Sequence, residues 1–571
     1  MSFEQMAAFI RGQEMGRTAF IDSPWGRRLL CYADLTATGR YLRFVERWLE
    51  QVRPLYANSH TTASTTGRLM TRLREQAREV IARAVHAGSG DVVMFVGSGA
   101  TAAINKLVGL LGLRISEPLE REHHLSRHIP PEKRPVVFVG PYEHHSNHLP
   151  WLESVADVVE VALDSQGRID LADLEQRLLE HRHRPLKLGA FSAASNVTGI
   201  LTDVSGLSRV LHRHGAYACF DFAACAPYAP IDMHPADPEA RLDAVFISPH
   251  KMVGGAGGSG VLVANRALFR SRTPERPGGG TVDYVASFDA PEVDYSGRLD
   301  EREEGGTPAI LGDLRASAGF LVRQMFGPEH ILEHELEVSL RAAARLLRSP
   351  RIHILGSLTL ARLAILSFNI EGLHHNLVST LLDQLFGIQC RAGCSCAGPY
   401  GHRLLGIGEE KSRAYRSQIA RGMNGVKPGW VRVCLPYYAS AADIDYILSA
   451  IEFVAERGAA FVPSYELSWA DGSWRHVGSM ALPSGPFRDP VAVSADALLA
   501  AAEGAAAGPE QEQDLSDAEV EGLRAGYLRE AHVLADAMAT GSGMRKGALR
   551  PSPGALPELE SLVWFNWQRA R

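Results

Sequence analysis

AVFISPHKMVGGAGGSGVLV, residues 244–263, runs from an apolar strand into a single lysine, Lys251, then through a glycine-rich turn into a second apolar strand. A lysine at a strand end lies near the mouth of a sheet. Desolvated in so apolar a setting, it can lose its proton and act as a Schiff-base former, whereas an ordinary surface lysine stays a solvated cation. Upstream the same rhythm repeats. VVMFVG (92–97), PVVFVG (135–140), VVEVAL (158–163), KLGAFS (187–192) and AYACFDF (216–222) alternate with helical stretches such as LADLEQRLLEHRH (171–183) and VSGLSRVLHRHG (204–215). Short apolar strands alternating with amphipathic helices imply an α/β layer built on a mostly parallel sheet.

Three other features carry chemistry. Asp221 ends the strand AYACFDF with no compensating charge nearby in sequence, so its carboxylate calls for a buried cationic partner, such as a pyridinium nitrogen. VVMFVGSGATAAIN is strand, glycine-rich turn and helix; the backbone N–H groups of Gly99, Ala100 and Thr101 at that helix start can cradle a phosphate. Cys390, Cys394 and Cys396 form C-x3-C-x-C in CRAGCSCAGPYGH (390–402), with no matching fourth cysteine for tetrahedral zinc. A Cys394–Cys396 redox pair, or sulfur passed between them, stays open. His123, His124 and His128 in REHHLSRHIPPEKRP read as a solvated loop, and no metal is expected.

The 571 residues carry 59 Lys plus Arg against 65 Asp plus Glu, a formal net charge of −6, which makes no global case for nucleic acid. No apolar run is long enough to span a bilayer, and MSFEQMAAFIRGQEMGR has charges where a secretory signal places its apolar core, so a soluble cytoplasmic protein is expected. Seven cysteines are too few for a disulfide framework. The acidic and glycine-rich stretch 278–309 interrupts the α/β rhythm, and a long helical run from Ile310 to Leu347 follows. A second α/β unit then extends to about Arg457. Expected domains are an N-terminal segment (1–30), a large domain (31–330), a small domain (331–460) and a C-terminal extension (461–571). In the extension, SADALLAAAEGAAAGPEQEQ reads as a helix end feeding a flexible stretch. DLSDAEVEGLRAGYLREAHVLADAM carries a capping box, Ser516 with Glu519, and apolar Val520, Leu523, Tyr527, Leu534 and Met538 at helical spacing. The aromatic end, LVWFNWQRAR, is expected to pack on the main body or meet a partner. The extension could also cover the active-site mouth or recruit an acceptor.

The ordered set YADLTATG, GSGATAAIN, EHHSNHLPW, SNVTGI, DFAACAP, SPHK, GGTPA, RAGCSCAG and VRVCLPYY resembles the class V aminotransferases, and within them the group II cysteine desulfurases and selenocysteine lyases, over about residues 30–455. The resemblance implies a fold-type I enzyme dependent on pyridoxal 5'-phosphate. It would have a large domain with a mostly parallel sheet, a smaller C-terminal α/β domain and an added C-terminal extension. It implies Lys251 as the Schiff-base lysine, Asp221 as the pyridinium partner and His144 as the imidazole stacked on the cofactor ring. Ala100, Thr101, Ser248 and His250 would hold the phosphate, and Asn196 would lie near the ring oxygen or substrate. Thr307 would reach the phosphate of the other subunit of a homodimer. Arg432 would clamp the substrate carboxylate, and Cys396 would take sulfur from L-cysteine as a persulfide, aided by Arg391, for a protein or small-molecule acceptor. Four positions depart from the family pattern. Ala224 stands for the usual Gln, Ala100 for the first of two Thr, Cys394 for a frequent His and Ala439 for a frequent Asn. These keep open a relative acting as C–S lyase, epimerase or aminotransferase without a persulfide. A scaffold working through its extension is the reading least suited to intact Lys251, Asp221 and His144.

Overall fold

The computed structural model describes residues 1–287, 291–478, 499, 513–539 and 561–565. The stretch 494–513 lies outside the described residues except for Leu499 and Gln513. The chain forms two compact units.

The larger comprises residues 35–336 and 357–363. Its sheet contains β1 (Asp91–Val96), β2 (Val136–Val139), β3 (Asp157–Glu160), β4 (Lys187–Ser192), β5 (Tyr217–Asp221), β6 (Ala244–Ile247) and β7 (Gly260–Asn265), in the spatial order β1-β7-β6-β5-β4-β2-β3. From β6 to β3 every pairing is parallel; β7 alone runs against its neighbours β6 and β1. Strands β2 and β6 are buried at every position, as helices on both faces require. The flanking helices include α1 (Thr65–Ala84), α2 (Gly99–Leu110), α3 (Leu171–Glu180), α4 (Val204–Arg213) and α5 (Ile310–Phe326). Asp170 and Asp203 cap α3 and α4 by accepting first-turn N–H groups. The helical run expected from Ile310 to Leu347 is two helices: Gly327 adopts φ +83°, and Pro328 starts a new helix to Leu346 with no amide hydrogen to continue the old one. The histidine-rich stretch expected to be a loop is instead a short helix, Glu117–His123, and a 3-10 turn, Leu125–His128, both exposed.

The second unit comprises residues 1–34, 337–356 and 364–571. Its sheet is antiparallel, with β8 (Ile352–Ile354), β9 (Ile365–Ile370), β10 (Arg391–Gly393) and β11 (Trp430–Cys434) in the order β8-β9-β11-β10. It packs with α6 (His375–Phe386), α7 (Ala441–Arg457) and α8 (Asp517–Ala539) into one apolar core that also takes in Trp25, Leu29 and Phe565. The Ser516–Glu519 capping box forms at the start of α8. The helix buries Val520, Tyr527, Ala531 and Ala535, with Leu523, Leu534 and Met538 flanking them. Arg524 on the same face pairs with buried Asp443. Among the described residues no helix is long and apolar enough to cross a membrane.

Burial depresses several histidines of this unit, His374, His375 and His476, and so makes it acid-sensitive; His374 shows how. His374 caps α6: its Nδ1 accepts the Asn376 N–H at 3.0 Å, and its Nε2 lies 3.2 Å from the Gly425 carbonyl, to which it donates. Both nitrogens are satisfied by the neutral ring, and burial pushes its pKa down to about 4. The unfolded ring titrates near 6.5, so the fold's advantage is complete above that pH and drains as pH falls from 6.5 toward 4. The urea midpoint should be lower at pH 5 than at pH 7.5, and His374→Asn, which can still cap, should narrow that gap. An unchanged gap would refute the assignment.

Candidate active site

In the larger unit the ends of the adjacent strands β5 and β6 bring Asp221, Ser248, His250 and Lys251 together. Lys251 closes a 3-10 turn, Pro249–Lys251, directly after β6, and Asp221 is the last residue of the adjacent parallel strand β5. Asp221 is buried, which pushes its pKa up; the Ala223 N–H at 2.8 Å and the Lys251 charge oppose that. The Lys251 turn is backed by Thr38 and Gly39, the end of the YADLTATG segment. The Gly39 N–H donates to the His250 carbonyl at 2.7 Å, and a Cβ on Gly39 would lie 2.1 Å from the Met252 carbonyl oxygen. Only glycine fits there.

The start of α2 forms a cradle beside it. Gly99 has φ +59°, and a Cβ there would come within 2.6 Å of both Ser248 Oγ and His250 Cε1. The Ala100 N–H donates to Ser248 Oγ at 2.9 Å, so the Ser248 hydroxyl hydrogen is left to point elsewhere. Burial, with the Lys251 charge, depresses His250 to about 4, leaving a neutral ring. Thr101 Oγ1 lies 2.7 Å from Ser146 Oγ, and the Ser146 N–H donates to Nδ1 of His144 at 3.1 Å. The neutral His144 ring therefore carries its proton on Nε2. Ser146 was not singled out in the sequence, although it stands inside EHHSN.

Glu143 was also missed. Buried beside His144, it accepts the Gly140 and Ser192 N–H groups at 3.2 and 3.0 Å, and the Asn147 amide and Ser192 hydroxyl at 2.6 and 2.7 Å. Burial pushes its pKa up to about 7. It ties the turn after β2 to the end of β4 and so fixes where His144 stands. Asn196 is buried in the turn after β4, whose backbone is held by Ser195 Oγ accepting the Val197 and Thr198 N–H groups. Thr307 sits on a separate, exposed turn, where its hydroxyl accepts from Asn58 at 3.2 Å.

These residues fit pyridoxal phosphate on their own chemistry. A side chain at Gly99 would fill the space that a phosphate needs, and a buried carboxylate and an amine stand at neighbouring strand ends. Gly99→Ala should therefore weaken cofactor binding at least about 10-fold in an absorbance titration, since alanine pays roughly 1–2 kcal/mol for a left-handed backbone before its clashes are counted. Binding at parental affinity would exclude the cradle.

The second unit carries the remaining candidates. Arg391 of β10 and Arg432 of β11 are directly opposed across the antiparallel pair. Like charges so placed repel. Asp34 resolves the conflict, accepting from Arg432 Nη2 at 2.8 Å and from Arg391 Nε at 3.1 Å. Arg432 is buried, so this carboxylate also offsets its desolvation. The cysteine turn follows β10: the Ala397 N–H donates to the Cys394 carbonyl at 3.0 Å, and Ser395 and Cys396 between them have φ +49° and +54°. Two successive non-glycine residues in the left-handed region cost roughly 1–2 kcal/mol each. Cys396 is exposed and Cys394 half-buried, whereas Cys390 lies against Ser379 with burial pushing its thiol up to about 12. Among the described residues no cluster of His, Cys, Asp or Glu could hold a metal ion.

The sequence matches the family described as aminotransferase class-V over residues 31–447. A probable cysteine desulfurase of Halalkalibacterium halodurans is 31% identical over 376 residues, covering 65% of this chain and 84% of that protein. Another so described, from Streptomyces coelicolor, is 27% identical over 431 residues, covering 74% and 92%. Among solved structures, the apo cysteine desulfurase from Thermococcus onnurineus NA1 aligns with a TM-score of 0.60 at 24% identity, over 79% of this chain and 98% of that one. That likeness bears on the fold, which is the fold-type I α/β architecture of pyridoxal phosphate enzymes. Because the family match runs through both the Lys251 strand ends and the Cys396 turn, this chain belongs to the class-V aminotransferases.

Proposed function

We propose that the protein is a pyridoxal phosphate-dependent cysteine desulfurase, converting L-cysteine to L-alanine and leaving the sulfur as a persulfide on Cys396 for a downstream acceptor. The observation that carries this reading is an exposed thiol on a strained turn that directly follows β10, whose Arg391 faces Arg432 across Asp34. It is supported by relatives described as probable cysteine desulfurases.

When bound, pyridoxal phosphate supplies an electron sink that weakens the substrate's carbon–sulfur bond. Ser248, whose hydroxyl is oriented by the Ala100 N–H, would hold its phosphate together with neutral His250 and Thr101. Asp221 would face the ring nitrogen, His144 would lie against the ring, and Asn196 would meet the ring oxygen or the substrate. Lys251 would anchor the cofactor and move the substrate proton. Arg432, oriented by Asp34, would clamp the substrate carboxylate. The thiolate form of Cys396 would form an S–S bond to the substrate sulfur as the carbon–sulfur bond breaks. The balance is L-cysteine plus enzyme thiol giving L-alanine plus enzyme persulfide. We further propose a cytoplasmic homodimer in which Thr307 serves the partner's phosphate.

The test is an absorbance spectrum of the purified protein before and after adding L-cysteine with a reductant, with sulfide and alanine assayed together. Equal sulfide and alanine support the reading. A bound-cofactor band without sulfide would replace it with a C–S lyase on another substrate, an epimerase or an aminotransferase.

A further inference from the structure

We propose that the C-terminal segment 561–565 is a strut for the Cys396 turn, with Trp564 and His375 as positioning residues. The role given to Cys396 rests on the desulfurase reading; the mechanical coupling does not.

The segment docks by two kinds of contact. Trp564 lays its indole flat on the His375 imidazole, with ring centroids 5.4 Å apart and planes 4° from parallel, and Phe565 meets His374 edge-on at 4.6 Å. Leu562 is buried against Tyr415 and Val426, and its carbonyl accepts the Tyr415 hydroxyl at 3.2 Å. Both contacts bear on the chain around the cysteine turn. His375 opens α6, and its Nε2 and the Cα of Gly393 each lie 2.9 Å from where a Cβ on Gly429 would stand. Three groups thus close on one point with no room for a side chain. The next residue after Gly393 is Cys394. Beyond the turn, helix Gly398–Leu404 is held by Trp430, whose ring carbon lies 2.7 Å from a Cβ position on Gly401. The chain then returns to Gly429 through the residues that Leu562 and Val563 cover, Tyr415 and Val426 among them.

A turn with two left-handed non-glycine residues relaxes unless its surroundings over-determine it. Here the near flank passes the crowded point at Gly429, where the Gly393 Cα and the His375 Nε2 converge, and Trp564 stacks on that same imidazole. The returning chain is fixed by Leu562. The segment therefore keeps the Cys396 thiol in its strained orientation while standing outside the turn itself.

The test compares Trp564→Ala and Trp564→Phe with the parent holoenzyme in three readouts: bound-cofactor absorbance, the pH profile of iodoacetamide labelling at Cys396 read by peptide mass, and kcat against KM for L-cysteine. Trp564→Ala should keep the cofactor band and KM, label Cys396 at a rate changed several-fold, and lose about 10-fold in kcat, as expected for a displaced reacting group. Trp564→Phe, which can still stack, should restore the parent's labelling within about twofold. Parental labelling in Trp564→Ala overturns the proposal. So does loss of the cofactor band together with reactivity, which would mark the segment as general support for the fold. Labelling needs no turnover, so a protein inactive on cysteine would refute the desulfurase reading while this test still stands.

Discussion

Lys251→Ala will leave a protein that catalyses no turnover even when pyridoxal phosphate is added, with kcat/KM lower by about 10⁴-fold or more, as for removal of a group on which a whole catalytic unit depends. The loss has two parts. The amine that would bond the cofactor disappears. The setting of Asp221 changes as well, because burial already pushes that carboxyl's pKa up and only the Ala223 N–H and the Lys251 charge oppose it. Removing the ammonium shifts Asp221 further toward its neutral form and weakens it as a partner for a cationic ring nitrogen. Lys251→Arg separates the two parts: it keeps a cation near Asp221 but offers no nucleophilic amine, so it should bind the cofactor reversibly and remain inactive. Borohydride reduction followed by peptide mass reads the outcome. Cofactor fixed to any residue of Lys251→Ala at the parental level would remove Lys251 from its role.

Cys396→Ser should do the opposite, keeping the cofactor band and losing sulfur transfer by roughly 10³-fold, about 4 kcal/mol of transition-state stabilisation. A hydroxyl at the same place is not ionised near neutrality and cannot hold sulfur as a persulfide. The substitution changes little else. Position 396 is exposed, and serine meets the same left-handed backbone as cysteine, so stability should stay within about 0.5 kcal/mol. Cys394→Ser is the control from within the same turn. If Cys396 alone receives sulfur from the substrate, that variant should still gain one sulfur at Cys396 when treated with cysteine in the absence of reductant. Desulfuration at the parental rate by Cys396→Ser would take the nucleophile assignment away, and loss of the added sulfur in Cys394→Ser would divide the role between the two thiols.

The sheet, the strand-end placement of Lys251 and Asp221 and the turn at Gly99 could be read from sequence because each is written in consecutive residues. A strand, a glycine turn and a helix start announce themselves within about fifteen positions. Glu143, Asp34 and Ser146 could not be read that way. Asp34 has meaning only through Arg391 and Arg432, which lie more than 350 residues away and face one another only because β10 and β11 pair in that register. Glu143 looks like an ordinary acid in EHHSN until folding surrounds it with four hydrogen-bond donors. The break between Phe326 and Pro328 was written in the sequence as a glycine–proline pair, which a reading by helical run alone passes over. On α8 the apolar spacing was visible, whereas the burial of Arg524 followed from the distant Asp443.

The left-handed turn at Ser395 and Cys396 also restricts which sequences this protein can drift to. Glycine, asparagine or aspartate at 395 would sit as comfortably as serine or better, since each tolerates positive φ. Valine, isoleucine and threonine are shut out of both positions, because a branched Cβ cannot take that backbone without moving the chain. A random library over residues 394–397 selected only for folding should therefore come back rich in Gly, Asn and Asp at 395 and 396. One selected for sulfur transfer should return cysteine at 396 against that preference, and the gap between the two outcomes measures how much conformational comfort the chain gives up to keep its thiol there.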